Sequence, residues 1–174
     1  MTQSHFNRSN LSKIMSWHAY QRLEKWTLKQ QAGIPYPLSV KAYFHVAPGR
    51  FYLSKQLEAI IIKLINKGTQ GRAMKVKNAG RYIDKSKVVT DVIGRDRKIG
   101  SGEWVKDKDI QIGASDIRIE LPGIVWNCEI KIGKDKQGAN QKLFEQQSIL
   151  LGQHYSIVKT LDDFFEQYEK LSIS

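Results

Sequence analysis

A single cysteine, Cys128, leaves this chain without a partner for a disulfide, so a disulfide framework is excluded and a reducing, cytoplasmic setting is expected. The four histidines, His5, His18, His45 and His154, show no ligand spacing to one another, and no Cys-X-X-Cys occurs. Zinc sites and thiol redox chemistry are therefore disfavoured. Neither a Ser-His-acid order nor a Gly-rich dinucleotide turn is present, which argues against acyl-transfer and hydride-transfer enzymes. No apolar run approaches the length of a membrane span, and MTQSHFNRSN lacks the charged-then-apolar layout of a signal peptide. A soluble protein with no membrane partner is the expectation.

Acidic residues are also scarce, 17 against 28 Lys and Arg, for a net charge of +11 and a pI near 9.7. The scarcity is uneven. Residues 1–56 hold eight Lys or Arg against the one acid Glu24, whereas residues 112–174 hold seven against nine. A basic flank beside a half that concentrates carboxylates suits a protein that grips a polyanion and works on it with metal. Simple solubility is the bland alternative.

What is present is concentrated between Gly113 and Lys131. Ile117, Ile119 and Leu121 alternate with Arg118 and Glu120; beyond Pro122-Gly123, Ile124, Trp126, Cys128 and Ile130 alternate with Val125, Asn127, Glu129 and Lys131. Such alternation predicts two strands, each with one buried and one polar face. A hairpin centred on Pro122-Gly123 puts Leu121 opposite Ile124 and Asp116 opposite Glu129. Proline does not suit the usual two-residue hairpin turns, so a four-residue or irregular loop is expected. Two facing carboxylates repel unless a cation lies between them, and hard oxygen ligands suit Mg²⁺ or Mn²⁺. Lys131, two positions beyond Glu129, is placed to stabilise charge at a phosphate. A solvated hairpin whose charges form surface ion pairs is the competing reading.

Around this hairpin, residues 1–10 read as structureless, and a helix is expected from Leu11 to Gln31 with Asn10 as its cap. Its Trp17, Tyr20 and Trp26 are interleaved with Arg22, Lys25 and Lys29, a mix that serves base stacking and packing alike, with packing the stronger claim. Lys41 to Val46 reads as a short strand. The helix containing Leu57, Ile60, Ile61, Leu64 and Ile65 carries one acid, Glu58, and Gly68 closes it. Arg72 to Lys77 reads as a strand, residues 78–112 as a long connection with strand fragments at Val88-Val89 and Val92-Ile93. Lys134 and Lys136 lie in a basic loop. A helix capped by Asn140 should turn Leu143, Phe144, Gln147, Leu150 and Leu151 inward, and Tyr155 to Val158 should be a buried strand.

The order Gly113-x-x-Asp116, hairpin, Glu129-x-Lys131, then Gln141 opening a helix, resembles the PD-(D/E)XK nuclease superfamily, in particular its VRR-NUC branch. The likeness extends over roughly Gln56 to Phe165 and departs at Ser115, where the family often has proline. It implies a restriction-endonuclease-like αβββαβ core with a mixed sheet over residues 53–174, behind a basic, partly helical extension over 1–52. It further implies a metal-dependent nuclease cutting DNA phosphodiesters in phage or mobile-element replication and repair. Asp116, Glu129 and the backbone carbonyl of Ile130 would hold Mg²⁺ or Mn²⁺, joined by Glu58. Lys131 and Gln141 would complete the catalytic set, and Lys75, Lys77, Arg81, Lys134, Lys136, Arg22, Lys25 and Lys29 would contact the nucleic acid. The expected partner is DNA, branched or single-stranded, and a homodimer is an allowed assembly. The rival is a non-catalytic nucleic-acid-binding protein that keeps the fold as scaffold; retention of Asp116, Glu129, Lys131 and Gln141 together argues against it.

Overall fold

A computed structural model describes residues 1–44, 53–76, 81–105 and 111–172. Its centre is a four-stranded mixed sheet. Strand β1 (Arg72–Lys75) lies antiparallel to β6 (Ile117–Leu121), β6 antiparallel to β7 (Ile124–Ile130), and β7 parallel to β8 (His154–Val158), in the order β1-β6-β7-β8. A helix precedes the sheet (α4, Leu53–Gly68), another links β7 to β8 (α5, Ala139–Leu150), and a third follows (α6, Leu161–Ser172). The protein is thus mixed α/β, with a helix–strand–strand–strand–helix–strand order around this sheet.

The predicted register of the hairpin holds. Leu121 pairs with Ile124 and Ile117 with Cys128. The turn, however, contains only Pro122 and Gly123, not four residues. Gly123 takes φ +75°, so proline at the first corner and a positive-φ glycine at the second supply the type II combination. On one face of the sheet Ile117, Ile119, Trp126, Cys128 and Ile130 are buried with Leu57, Ile60, Ile61 and Leu64 of α4, at the predicted helical spacing. The Trp126 ring stacks on Phe164 of α6 at 5.4 Å, and its Nε1 donates to Ser156 Oγ at 2.7 Å. The pleat sends Asn127, Glu129 and Lys131 to the opposite face, where α5 lies.

The N-terminal segment departs from expectation. Residues 3–7 form a short helix (α1, Gln3–Asn7) because Phe6 buries itself between Trp17 and Tyr20. The single helix expected from Leu11 is divided: a 3₁₀ turn over Asn10–Lys13 comes first, then α2 (Trp17–Gln30). Ser16, not Asn10, caps α2, accepting the Ala19 N–H on its Oγ while donating to Asp162 of α6. In place of a strand near residue 41 stands a short helix, α3 (Val40–Tyr43), whose Tyr43 and neighbouring Phe44 pack on Trp26; residues 45 and 46 lie outside the described residues. Phe6, Leu11, Ile14, Met15 and Leu23 belong to one apolar cluster with α4 and the sheet. Deleting residues 1–31 is therefore expected to abolish cooperative thermal unfolding, checked by circular dichroism.

Two further expectations are corrected on the α5 side. Leu143, Leu150 and Leu151 are exposed, and Ser148 is the buried residue of this helix; Gly138, not Asn140, occupies the cap position. Strand β8 is half-buried, with Val158 its one fully enclosed residue. Between β1 and β6 the chain forms two small antiparallel pairs outside the main sheet. Strand β2 (Arg81–Ile83) pairs with β5 (Glu103–Val105), and β3 (Lys87–Thr90) with β4 (Asp96–Ile99). Val88-Val89 is a strand as read, whereas Val92-Ile93 lies in the turn joining β3 to β4.

Candidate active site

The hairpin places Asp116 and Glu129 on the rung beyond the Ile117–Cys128 pair. The Asp116 carbonyl accepts the Val76 N–H at 2.9 Å, and its Oδ2 accepts the Ile130 N–H, also at 2.9 Å. Asp116 is thereby fastened to the strand on each side of it. Glu129 is 1% exposed. Its Oε1 accepts Lys131 Nζ at 2.9 Å and Gln141 Nε2 in a short contact, while its Oε2 is buried with no hydrogen-bond partner.

An anionic oxygen enclosed in this way is expensive. Burial, with the neighbouring Asp116 charge added, pushes the Glu129 carboxyl up to about 7 although Lys131 pulls the other way. Burial draws the Lys131 ammonium down, but the hydrogen bond and charge of Glu129, then Asp135 at 3.7 Å and Asp116, hold it above its ordinary value. Between pH 4.5 and 7 the folded state therefore binds more protons at Glu129 than the unfolded state does. Metal-free protein should gain stability from this group as pH falls through that window, on the order of 3 kcal/mol at most, and Glu129→Gln should remove that slope from the melting temperature.

Gln141 is oriented by its own helix. Its Oε1 accepts the Gly138 N–H at 2.9 Å, half of a capping box, which leaves Nε2 to face Glu129. Gly113 explains how α5 comes so close. It has φ +84°, and a Cβ there would lie 2.4 Å from the backbone carbon and oxygen of Asn140. The strand that carries Asp116 and the helix that carries Gln141 thus touch through a residue that has no side chain.

The structure brings together Asp116, Glu129, Lys131 and Gln141. It ties Glu58 elsewhere: both of its oxygens are held by Lys75 Nζ, at 2.7 and 2.9 Å. Among the described residues no three Asp, Glu, His or Cys side chains gather into a group. Of the basic residues, Lys25, Lys29, Lys134 and Lys136 are exposed, whereas Arg22 is engaged with Glu169 and lies over the Phe165 ring at 3.9 Å. Arg81 belongs to β2, and Lys77 lies outside the described residues. Trp17, Tyr20 and Trp26 pack against protein rings, as the packing reading of that helix expected.

Sequence reasoning missed three neighbours. Asp135 approaches Lys131 as above. Tyr155, opposite Asn127, has its phenol driven up by burial and then by the charges of Glu129, Glu145 and Asp116. Gln137 Nε2 contacts both Tyr155 Oη at 3.1 Å and Glu145 at 3.0 Å. The parallel pairing of β7 with β8 was the signal that would have placed Tyr155 on the Glu129 face.

No protein-family model matches this chain, and neither a curated protein nor a solved structure matches it either.

Proposed function

We propose that this protein is a metal-dependent nuclease that hydrolyses DNA phosphodiester bonds. One observation carries the reading: a buried carboxylate, Glu129, keeps one oxygen free of any hydrogen bond, with a second carboxylate, Asp116, close enough to act on its charge. Oxygen donors so arranged fit a small divalent cation, which binds through one or two carboxylates and completes its shell with waters and phosphate oxygens. Asp116, Glu129 and the Ile130 carbonyl would hold Mg²⁺ or Mn²⁺; Glu58, neutralised by Lys75, would have to leave that partner to join them. The bound cation would polarise the scissile phosphate and lower the pKa of a water.

The chain's own groups supply the rest. Lys131, charged at neutral pH, holds its ammonium against Glu129 and can stabilise charge developing on the phosphate. Gln141 fixes the rotamer of Glu129 and marks where α5 begins over the site. A branched or single-stranded substrate, a role in phage or mobile-element replication and repair, a cytoplasmic location and a homodimeric state form the finer part of this proposal. They rest on the resemblance of the motif.

Incubation with plasmid, single-stranded and four-way-junction DNA in Mg²⁺, Mn²⁺ or EDTA tests the proposal. Cleavage in either metal that EDTA stops supports it; intact DNA in every lane, with the protein folded and bound, returns the scaffold reading. Lys131→Ala should slow cleavage by roughly a hundredfold while Mn²⁺ still binds by calorimetry, since an ammonium stabilises the transition state without ligating the metal. Wild-type turnover in that variant would reduce Lys131 to an ion-pair partner of Glu129.

A further inference from the structure

The β3–β4 ribbon has no buried face. All eight of its strand residues are exposed, and among the described residues its strands pair with no other strand. Isolated two-stranded ribbons are marginal in water, so an exposed one needs local fastening. Here the fastening is at the tip. Asp91 Oδ1 accepts the N–H groups of Ile93 and Arg95 at 2.9 and 3.0 Å, and the Asp91 N–H donates to the Arg95 carbonyl at 2.9 Å. The remaining oxygen, Oδ2, faces two guanidinium groups, Arg95 at 3.4 Å and Arg97 at 3.3 Å.

The outcome is a built apex. Val92 is fully exposed and Ile93 is 71% exposed, at the end of a tightly hydrogen-bonded turn. Directly behind them stand two arginines, each about two-thirds exposed, that share a single carboxylate and so leave a positive collar. Two exposed branched apolar side chains at the end of an arm gain nothing in water, and their cost is relieved only when something apolar receives them.

We propose that the β3–β4 ribbon is a wedge for double-helical nucleic acid, with Val92 and Ile93 entering between base pairs and Arg95 and Arg97 gripping the flanking phosphates. A duplex groove admits a two-stranded ribbon, and apolar side chains at base steps unstack and kink the helix. Placement favours this occupant. The ribbon is inserted between β1 and β6, and the chain leaves and rejoins the sheet at Val76 and Asp116, which are hydrogen-bonded to each other. The insertion that carries the ribbon therefore begins and ends at the Asp116 end of the sheet. The inference rests on the nucleic-acid reading of the site but requires no cleavage. It identifies the substrate class as duplex DNA with an easily opened step, such as a nick, a gap or a junction.

The test uses the full chain in EDTA, so that binding is read without hydrolysis. Affinity is measured for an intact duplex, a nicked duplex and a four-way junction, with aminopurine beside the nick reporting unstacking. Wild-type protein should prefer the nicked and branched DNA and raise aminopurine fluorescence. The double variant Val92→Ser, Ile93→Ser should lose about tenfold in affinity for those two, lose the fluorescence rise, and keep its affinity for the intact duplex. Its exposed positions leave folding intact, which a thermal melt verifies. Equal affinity and equal fluorescence in wild type and variant overturn the wedge. So does loss of binding to phosphatidylserine vesicles with unchanged DNA binding, which would assign the apex to a lipid surface. A protein that unstacks the nick through its tip yet never cleaves in Mg²⁺ or Mn²⁺ keeps the wedge and loses the nuclease.

Discussion

Glu129→Gln is expected to lower the cleavage rate by on the order of a thousandfold while DNA affinity stays level or rises. The amide keeps the shape and can still meet Lys131 and Gln141, so the fold survives. What it removes is the anionic oxygen that has no other partner. Charge stabilisation by a metal is worth several kcal/mol in the transition state, and each 1.4 kcal/mol or so is a factor of ten. Removing a negative charge beside the phosphate path also removes repulsion, which is why affinity should not fall. Asp116→Asn should behave alike, since its Oδ2 acceptance of the Ile130 N–H can be retained by the amide oxygen. Single-turnover rates in Mn²⁺, paired with filter binding in EDTA, separate the two effects. Unchanged turnover in either folded variant sinks the assignment of the site.

The second large effect concerns a residue with no chemistry at all. Gly113→Ala should destabilise the protein by about 3 kcal/mol and lower its melting temperature by roughly 10 °C. The positive φ contributes one part, and the collision of the new Cβ with the Asn140 backbone contributes the larger one. The backbone of α5 cannot rotate aside as a side chain could. Relief would have to come from separating the Asp116 strand from the start of α5, which breaks the Gln141 contact with Glu129. Activity should therefore fall more than stability does. Gly133→Ala is the matched control: its φ is +64°, but nothing lies within 4 Å of the added carbon, so about 1 kcal/mol is expected. Equal losses in the two variants would show that close approach to α5 does not matter.

The site was legible because its residues sit on strands of strict period two. Ile117 through Ile130 admit one register that buries the apolar set, and that register alone juxtaposes Asp116 and Glu129. Within the hairpin only the turn was misjudged, because a type II corner was not weighed against the primed turns. Helix α5 failed for the opposite reason. Leu143, Leu150 and Leu151 invite burial by composition but stay exposed, Leu150 and Leu151 at the rim of a cleft they share with Arg118 and Asn127, and Ser148 bonds Asn127 instead. The N-terminal third was hard to read because its pieces are short. One buried ring, Phe6, is enough to order α1, and no periodicity announces a single residue. The β3–β4 ribbon carries no alternation of burial, so hydrophobic pattern could not have drawn it; its turn signals at Asp91 and Gly94 were the available clue.

The hydrogen bond from Val76 to Asp116 has an evolutionary meaning as well as a mechanical one. Because β1 and β6 are antiparallel neighbours, a tight turn could join them directly and leave the sheet, its buried face and the paired carboxylates where they are. Everything between those two residues is thus topologically an accessory, free to lengthen, shorten or be exchanged among descendants without renegotiating the core. Under the proposed function, a lineage could change what DNA shape it prefers by swapping this appendage, while the paired carboxylates are inherited untouched.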